Sequence, residues 1–259
     1  MARVSHRISI PTQDGLELSG ILEIPEGERL GTILFSHCFT CSKDLKAIVR
    51  ISRELANQGW IVLRYDFRGL GGSQGEFAQS NFSTNCQDLH AAADYLAREY
   101  DGADFLMGHS FGGAASLAMA QRIESVLGVI ALAAPSDTHH LAALLESMDP
   151  DIQQKGHGQV TIGGFTYPVR RQMLEDFRSV DLPSIVSELR KPMLALHSPG
   201  DETVAYEHAL RNCDFANARS RPEGPRSLIT LPNCNHLLTD ERHCRWVASH
   251  VSSWCQAFD

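Results

Sequence analysis

Leu106-Met107-Gly108-His109-Ser110-Phe111-Gly112-Gly113 places a serine between glycines in the pattern G-x-S-x-G, directly behind an apolar run. Ala103 to Met107 has the length and content of a short buried strand, and Gly112 to Ala120 those of a small-residue helix. A serine on such a strand-to-helix turn is lifted out on a cramped backbone with its hydroxyl exposed. Glycines two residues before and two after it let the turn close without side-chain clashes. The helix that follows aims its free N–H groups and its positive end at any oxyanion formed there.

Working outward, apolar strand-like stretches recur with helical patterns between them. His6 to Ile10 and Leu16 to Ile24 flank the turn Gln13-Asp14-Gly15. Gly31 to Ser36, Trp60 to Tyr65, Ala103 to Met107, Val126 to Ala131, Met193 to His197 and Ser227 to Leu231 follow. Helical patterns fill Ala47 to Gln58, Cys86 to Glu99, Gly113 to Gln121, Val204 to Arg211 and His243 to Phe258. Continuous apolar runs in the later strands indicate a parallel sheet covered on both faces. The expected architecture is α/β: an eight-stranded, mostly parallel sheet with two antiparallel leading strands and helices on both faces.

Between Ala134-Pro135 and Lys191-Pro192 the rhythm breaks. This stretch holds a helical run (Thr138 to Met148), a polar piece (Asp149 to Gly158), a hairpin-like segment (Val160 to Tyr167) and another helix (Arg170 to Phe177). It follows a sheet strand, where ligand crevices form, so residues 136–190 are expected to be a small cap inserted in a single domain spanning residues 1–259.

Composition narrows the classes. The chain has 259 residues, 43% of them hydrophobic, enough for one large core. It has no 18-residue apolar run to span a membrane, and Met1 to Arg7 lacks an apolar signal core. The formal net charge is -8 with scattered basic residues, which argues against nucleic acid as a partner. Seven cysteines, an odd number, are expected as free thiols in a reducing cytoplasm, without a C-x-x-C pair. Cys38 is expected to be a neutral packed thiol.

A serine hydroxyl needs a base to accept its proton, and the base needs an orienting carboxylate. Behind a serine of this kind the acid and then the histidine follow along the chain. Asp201 lies in Ser198-Pro199-Gly200-Asp201-Glu202-Thr203-Val204, after one strand, and His236 in Pro232-Asn233-Cys234-Asn235-His236-Leu237-Leu238, after the last. Both loops are expected to open on the edge that carries Ser110. Glu202 competes as the acid, but the Pro-Gly turn aims the short Asp201 carboxylate. His109 is expected to pack or hydrogen-bond, and His139 and His140 to form a polar helix start without a third metal ligand. The backbone N–H of Phe111 and that of Phe39, with Cys38 as runner-up, are the expected oxyanion donors. Asp66 and Arg68 are expected to tie together the Arg64 to Ser73 bend, whose glycines do not form a dinucleotide loop. Neither a cofactor nor a metal is called for.

Several runs together resemble the α/β-hydrolase superfamily over almost the whole length: His37 to Asp44, Arg64 to Gly71, Asn81-Phe82-Ser83, Gly108 to Ala114 and His197 to Val204. The His-Cys-Phe-Thr-Cys-Ser-Lys-Asp run is narrower and resembles the hydrolase part of bacterial proteins fused to an OsmC-like domain. The resemblance implies an α/β-hydrolase fold with Ser110 as nucleophile, Asp201 as acid, His236 as base, and Phe39 and Phe111 as oxyanion donors. Cys38 departs from the His-Gly of many members. The sequence ends at Asp259, just after its last helical pattern, so a fused redox domain is not expected. The expected activity is that of a serine carboxylesterase on small to medium acyl or aryl esters, acting through an acyl-enzyme. A thioesterase or small-amide hydrolase on the same triad is the alternative, and a silent binding module on a hydrolase fold a further one. Phe39, Phe77, Phe165 and Tyr167 are candidates to line an aromatic or acyl pocket. The partner is a small-molecule ester, and the chain is expected to be a monomer or homodimer.

Overall fold

A computed structural model of the protein describes residues 3–217 and 224–258. Among these, eight strands form one sheet: β1 (Arg3–Pro11), β2 (Glu17–Pro25), β3 (Gly31–Ser36), β4 (Trp60–Tyr65), β5 (Phe105–His109), β6 (Gly128–Leu132), β9 (Met193–His197) and β10 (Arg226–Thr230). They lie in the order β1-β2-β4-β3-β5-β6-β9-β10. β2 pairs antiparallel with both β1 and β4, and every other pairing is parallel. The expected α/β-hydrolase architecture is therefore present, with β2 alone reversed.

Strand alternation places the two cores. In β3 to β6 and β9, the residues Ile33, Phe35, Phe105, Met107, Ile130, Leu132, Leu194 and Leu196 face one layer. That layer is helix α1 (Lys46–Asn57), through Ile48, Ile51 and Leu55, and helix α9 (Glu241–Cys255), through Val247, Ala248 and Val251. The alternate residues, among them Leu34, Leu106, Val129 and Ala195, face α2 (Phe82–Glu99) and α3 (Phe111–Ala120). A strand covered on both faces has no polar side to show, which is why these runs are apolar throughout. All ten residues of α3 are buried, so its small side chains reflect close packing on β5 and β6.

The segment between β6 and β9 consists of α4 (His139–Met148), α5 (Asp151–Lys155), the antiparallel hairpin β7 (His157–Ile162) and β8 (Phe165–Arg170), α6 (Arg171–Ser179) and α7 (Leu182–Ser187). Helix α5 falls in the polar stretch, and α7 escapes the sequence pattern because it is only six residues long, with Pro183 near its start. The segment is fastened to the body at named points. Asp176 on α6 accepts from the backbone N–H groups of Phe82 and Ser83 at the start of α2, at 2.8 and 3.2 Å. Gln172 donates to the carbonyls of Ala78 and Ser80. Tyr167 on β8 donates its hydroxyl to Thr40 O at 3.0 Å. Helix α8 (Glu207–Asn217) follows β9 and packs on β10. Among the described residues no helix is long and apolar enough to cross a membrane.

The cysteine expectations need correction. Cys38-Phe39-Thr40-Cys41 does have the C-x-x-C spacing, and Cys38 and Cys41 are joined in a disulfide. Neither is a free thiol, and the odd cysteine count concealed a bridge between two residues three apart. The argument for a reducing cytoplasm loses that support. Asp66 and Arg68 organise their bend electrostatically, as expected, each through its own partners. Asp66 accepts from Lys43 Nζ, Lys43 N and Gly72 N, all within 2.7–2.8 Å. Arg68 donates to buried Asp88 through Nε and Nη2 at 2.9 and 2.7 Å, and to Asp14 through Nη1 at 2.8 Å.

Candidate active site

Ser110 stands between β5 and α3 with φ 55° and ψ -122°, a backbone region that non-glycine residues rarely enter. Such a conformation persists only where its surroundings impose it. Here Ser110 N donates to Leu132 O at 2.8 Å, and its carbonyl accepts from Gly113 N at 2.8 Å and Ala114 N at 3.2 Å. Close approach demands the glycines on either side. A Cβ at Gly108 would collide with the Gly112 carbonyl, and one at Gly112 with the carbonyls of Ser36 and His37.

Asp201 and His236 arrive on the same edge from the loops after β9 and β10. His236 Nδ1 and Asp201 Oδ2 are 2.7 Å apart, and His236 Nδ1–H is the donor to the carboxylate. Asp201 Oδ1 accepts from the N–H groups of Thr203 and Val204 at 2.8 and 2.9 Å. His197 Nε2 lies 3.4 Å from Oδ2 and donates to Val204 O at 2.8 Å. Burial raises the Asp201 pKa, but hydrogen bonds from His197, His236 and Val204 N–H outweigh it and hold the carboxyl well below the usual range. Glu202 is exposed and takes no part. Ser110 is 8% exposed, and its hydroxyl makes no hydrogen bond among the described residues. The structure thus joins Asp201 to His236, in loops that follow the carboxyl ends of β9 and β10, and puts Ser110 in the turn at the carboxyl end of β5.

His109 is fully buried and donates from Nε2 to His236 O at 2.8 Å, with the two rings 5.0 Å apart. It holds the backbone of the His236 loop, as its hydrogen-bonding expectation required. Burial, then the nearby His236, push its pKa down to about 3.

The loop after β3 carries Phe39. Phe67 N donates to His37 Nε2 at 3.1 Å, so His37 carries its proton on Nδ1 and gives it to Cys38 O at 2.8 Å. Cys41 N donates to the same oxygen at 3.2 Å. With the Cys38 carbonyl held from one side, the planar trans peptide turns the Phe39 N–H the opposite way. Neither the Phe39 nor the Phe111 N–H donates to another protein group among the described residues.

Around these amides lies an aromatic cluster. The Phe39 ring is 5.5 Å from Phe77, 5.6 Å from Phe111 and 6.0 Å from Phe177, and Phe77 is 5.0 Å from Tyr167. Phe165 is not part of it: the side chain is 69% exposed at the start of β8, beside the hairpin turn. Phe177, absent from the sequence-based candidates, is buried on α6 with Met173 and Leu174. Its signal was the apolar spacing of that helix, which does not reveal the neighbour it meets.

Asp137, His140 and His208 bring possible ligand atoms within 4.8 Å of one another, so His140 does acquire companions that sequence spacing did not show. Each already has a protein partner. Asp137 accepts from His140 N at 3.1 Å, and His208 Nδ1 accepts from Ser136 N at 3.1 Å. Asp137 thus bonds the first turn of α4, and His208, on α8, bonds Ser136 ahead of it. A groove of about 890 Å³ lined by Asp14, Arg68, Cys86, Arg122 and Asp181 lies elsewhere and includes none of Ser110, Asp201 and His236.

A mostly parallel sheet, with a serine on a sharp turn behind its central strand and a carboxylate–imidazole pair on the same edge, defines the class of the α/β hydrolases. Residues 28–152 match the family described as serine aminopeptidase, S33 (Hydrolase_4). The esterase domain of a Rhodothermus marinus protein is 32% identical, with 98% of this chain and 99% of that one covered, at a TM-score of 0.77. The chain belongs to the α/β-hydrolase superfamily and has esterases among its relatives. Est1E of Butyrivibrio proteoclasticus, in a structure with ferulic acid bound, shares the fold at a TM-score of 0.80 and 22% identity, over 97% of this chain and 98% of that one. The mitochondrial palmitoyl-protein thioesterase ABHD10 of Rattus norvegicus is 24% identical over 70% of this chain and 62% of its own length. An uncharacterized protein of Rickettsia prowazekii is 32% identical over 37% of this chain and 40% of its own length. The chain thus matches less than two thirds of either of these two curated relatives.

Proposed function

We propose that the chain is a carboxylesterase in which Ser110 is the nucleophile, His236 the base and Asp201 the acid. The observation that carries this is the 2.7 Å bond from His236 Nδ1 to Asp201, made at the sheet edge where Ser110 is held at positive φ. Ser110 Oγ attacks the ester carbonyl as His236 Nε2 takes its proton. The Phe39 and Phe111 amides receive the oxyanion, and donors already in place need no reorganisation as charge develops. His236 then gives the proton to the leaving alcohol and activates the water that releases the acid. Asp201 keeps the imidazole proton on Nδ1 throughout.

The substrates proposed are small to medium acyl or aryl esters. Support comes from the ring cluster of Phe39, Phe77, Phe111, Phe177 and Tyr167 beside the oxyanion amides, which suits a flat or apolar acyl group. The segment 136–190 acts as the cap, since it supplies Phe177 and Tyr167 to that cluster. Kinship with the OsmC-fused hydrolases belongs to the same proposal and rests on the His37 to Asp44 run. A thioester substrate is the second reading, favoured by the similarity to a palmitoyl-protein thioesterase.

Turnover of p-nitrophenyl esters from acetate to palmitate, compared between the parent and Ser110→Ala, tests the assignment. The variant should fold, lose burst acylation and escape labelling by a fluorophosphonate. Retention of most activity in Ser110→Ala would falsify it. Matched ester and thioester substrates then decide between the two readings.

A further inference from the structure

Cys38, Phe39, Thr40 and Cys41 close into a four-residue ring through the disulfide, and the Phe39 amide lies inside it. Taking Phe39 as an oxyanion donor, as proposed above, we propose that Cys38–Cys41 is a thiol–disulfide exchange site through which thiols set turnover. The disulfide form keeps the Phe39 N–H aimed and the dithiol form releases it.

Three features couple the ring to the site. Thr40 sits at φ 57°, a region β-branched residues avoid, so its surroundings must impose it. The ring is one such constraint, and the Cys41 N–H to Cys38 O turn bond is another. Thr40 O also receives the Tyr167 hydroxyl, which ties the inserted hairpin to this loop. When the ring opens, the two sulfurs must move apart to van der Waals contact. Cys38 is buried at 4% exposure and has no room, so the movement falls on Thr40 and partly exposed Cys41. The peptide between Cys38 and Thr40, which carries the Phe39 N–H, turns with them.

The exposures also set the direction of exchange. The thiolate of a small thiol attacks Cys41 Sγ, forming a mixed disulfide and expelling Cys38 as a thiolate, which takes a proton from solvent. A second thiolate attacks the outer sulfur, releasing Cys41 and the oxidised thiol. The net reaction consumes two thiols and gives the protein dithiol and one small-molecule disulfide. Elsewhere, burial pushes the thiols of Cys86 and Cys234 up to about 12 and about 11, which leaves them poor competitors as thiolates.

The experiment equilibrates the whole chain in glutathione buffers of stepped reduced-to-oxidised ratio. Alkylation with N-ethylmaleimide and mass analysis of the peptide containing residues 38–41 read the thiols. Ester turnover and fluorophosphonate labelling are measured on the same samples. Loss of one oxyanion donor costs about 10²–10³ in kcat. A displaced one should cost roughly tenfold or more, with KM for the acetate ester nearly unchanged. Turnover should fall in step with alkylation of Cys38 and Cys41. Cys41→Ser should stay at the low level at every ratio, and Cys86→Ser should keep the full response. A peptide locked in one state across all ratios overturns the proposal, as does equal turnover in both states. A protein with neither turnover nor label in either state fails at Ser110 instead, and the alkylation titration still decides whether the pair exchanges.

Discussion

Asp201→Asn isolates the role proposed for Asp201 while keeping its shape. Oδ1 of Asp201 accepts from the Thr203 and Val204 amides, while Oδ2 faces His236 Nδ1 at 2.7 Å and His197 Nε2 at 3.4 Å. Asparagine has the same shape, and its carbonyl oxygen keeps both backbone amides. Its NH₂ group then donates where the carboxylate accepted. His236 must respond by carrying its proton on Nε2, the nitrogen that should receive the Ser110 proton. An acid-to-amide change that traps this tautomer costs a serine triad about 10⁴ in kcat, or about 5 kcal/mol of transition-state stabilisation. The assay is steady-state hydrolysis of p-nitrophenyl acetate, with thermal melting as the control for folding. Glu202→Gln, one residue away and exposed, should leave kcat within about twofold, well under the ~1.4 kcal/mol that a tenfold change represents. A folded Asp201→Asn enzyme within tenfold of the parent refutes the assignment, and so does an equal loss in Glu202→Gln.

Gly112→Ala should lower the melting temperature by at least about 2–4 °C, because its Cβ meets the backbone carbonyls of Ser36 and His37 and such overpacking costs about 1–3 kcal/mol; an unchanged melt would contradict the close approach. Asp88→Ala strands the buried Arg68 guanidinium with only its Asp14 contact, and urea unfolding should show a loss of about 3–5 kcal/mol. Acid should weaken the fold through His109. The folded form stays neutral down to about pH 3 while the unfolded form takes its proton near 6.5. Its stabilising effect is therefore complete above pH 6.5 and lost as pH falls towards 3, by up to about 1.4 kcal/mol per pH unit. His37, also lowered by burial, steepens the slope. Urea midpoints that do not move between pH 7 and pH 5 would count against both neutral histidines.

What the chain reveals by inspection and what it withholds divide along physical lines. Strand periodicity is local, so Ile33-Leu34-Phe35 and Phe105-Leu106-Met107 announce a two-faced sheet, and the glycines around Ser110 announce a tight turn. Loops at the carboxyl ends of parallel strands open together, which is why Asp201 and His236, far apart in sequence, were legible as a pair. Strand and helix ends shifted by a few residues, because hydrogen-bonding partners rather than apolar content decide where pairing stops: β6 begins at Gly128, not Val126. Contacts that depend on the course of a loop were not legible. Phe177 reaches Phe39 only through the path of the inserted segment. His37 holds the Cys38 carbonyl only because Phe67 N–H occupies its other nitrogen. The Cys38–Cys41 bridge depends on a threonine accepting positive φ, against its own preference. All three meet at Phe39, the first at its ring and the other two around its peptide. The turn at Ser110 is thus built from rules that short sequence patterns record, whereas the loop that carries Phe39 is built from tertiary contacts, which is why the proposed nucleophile is more legible in the sequence than the proposed oxyanion donor.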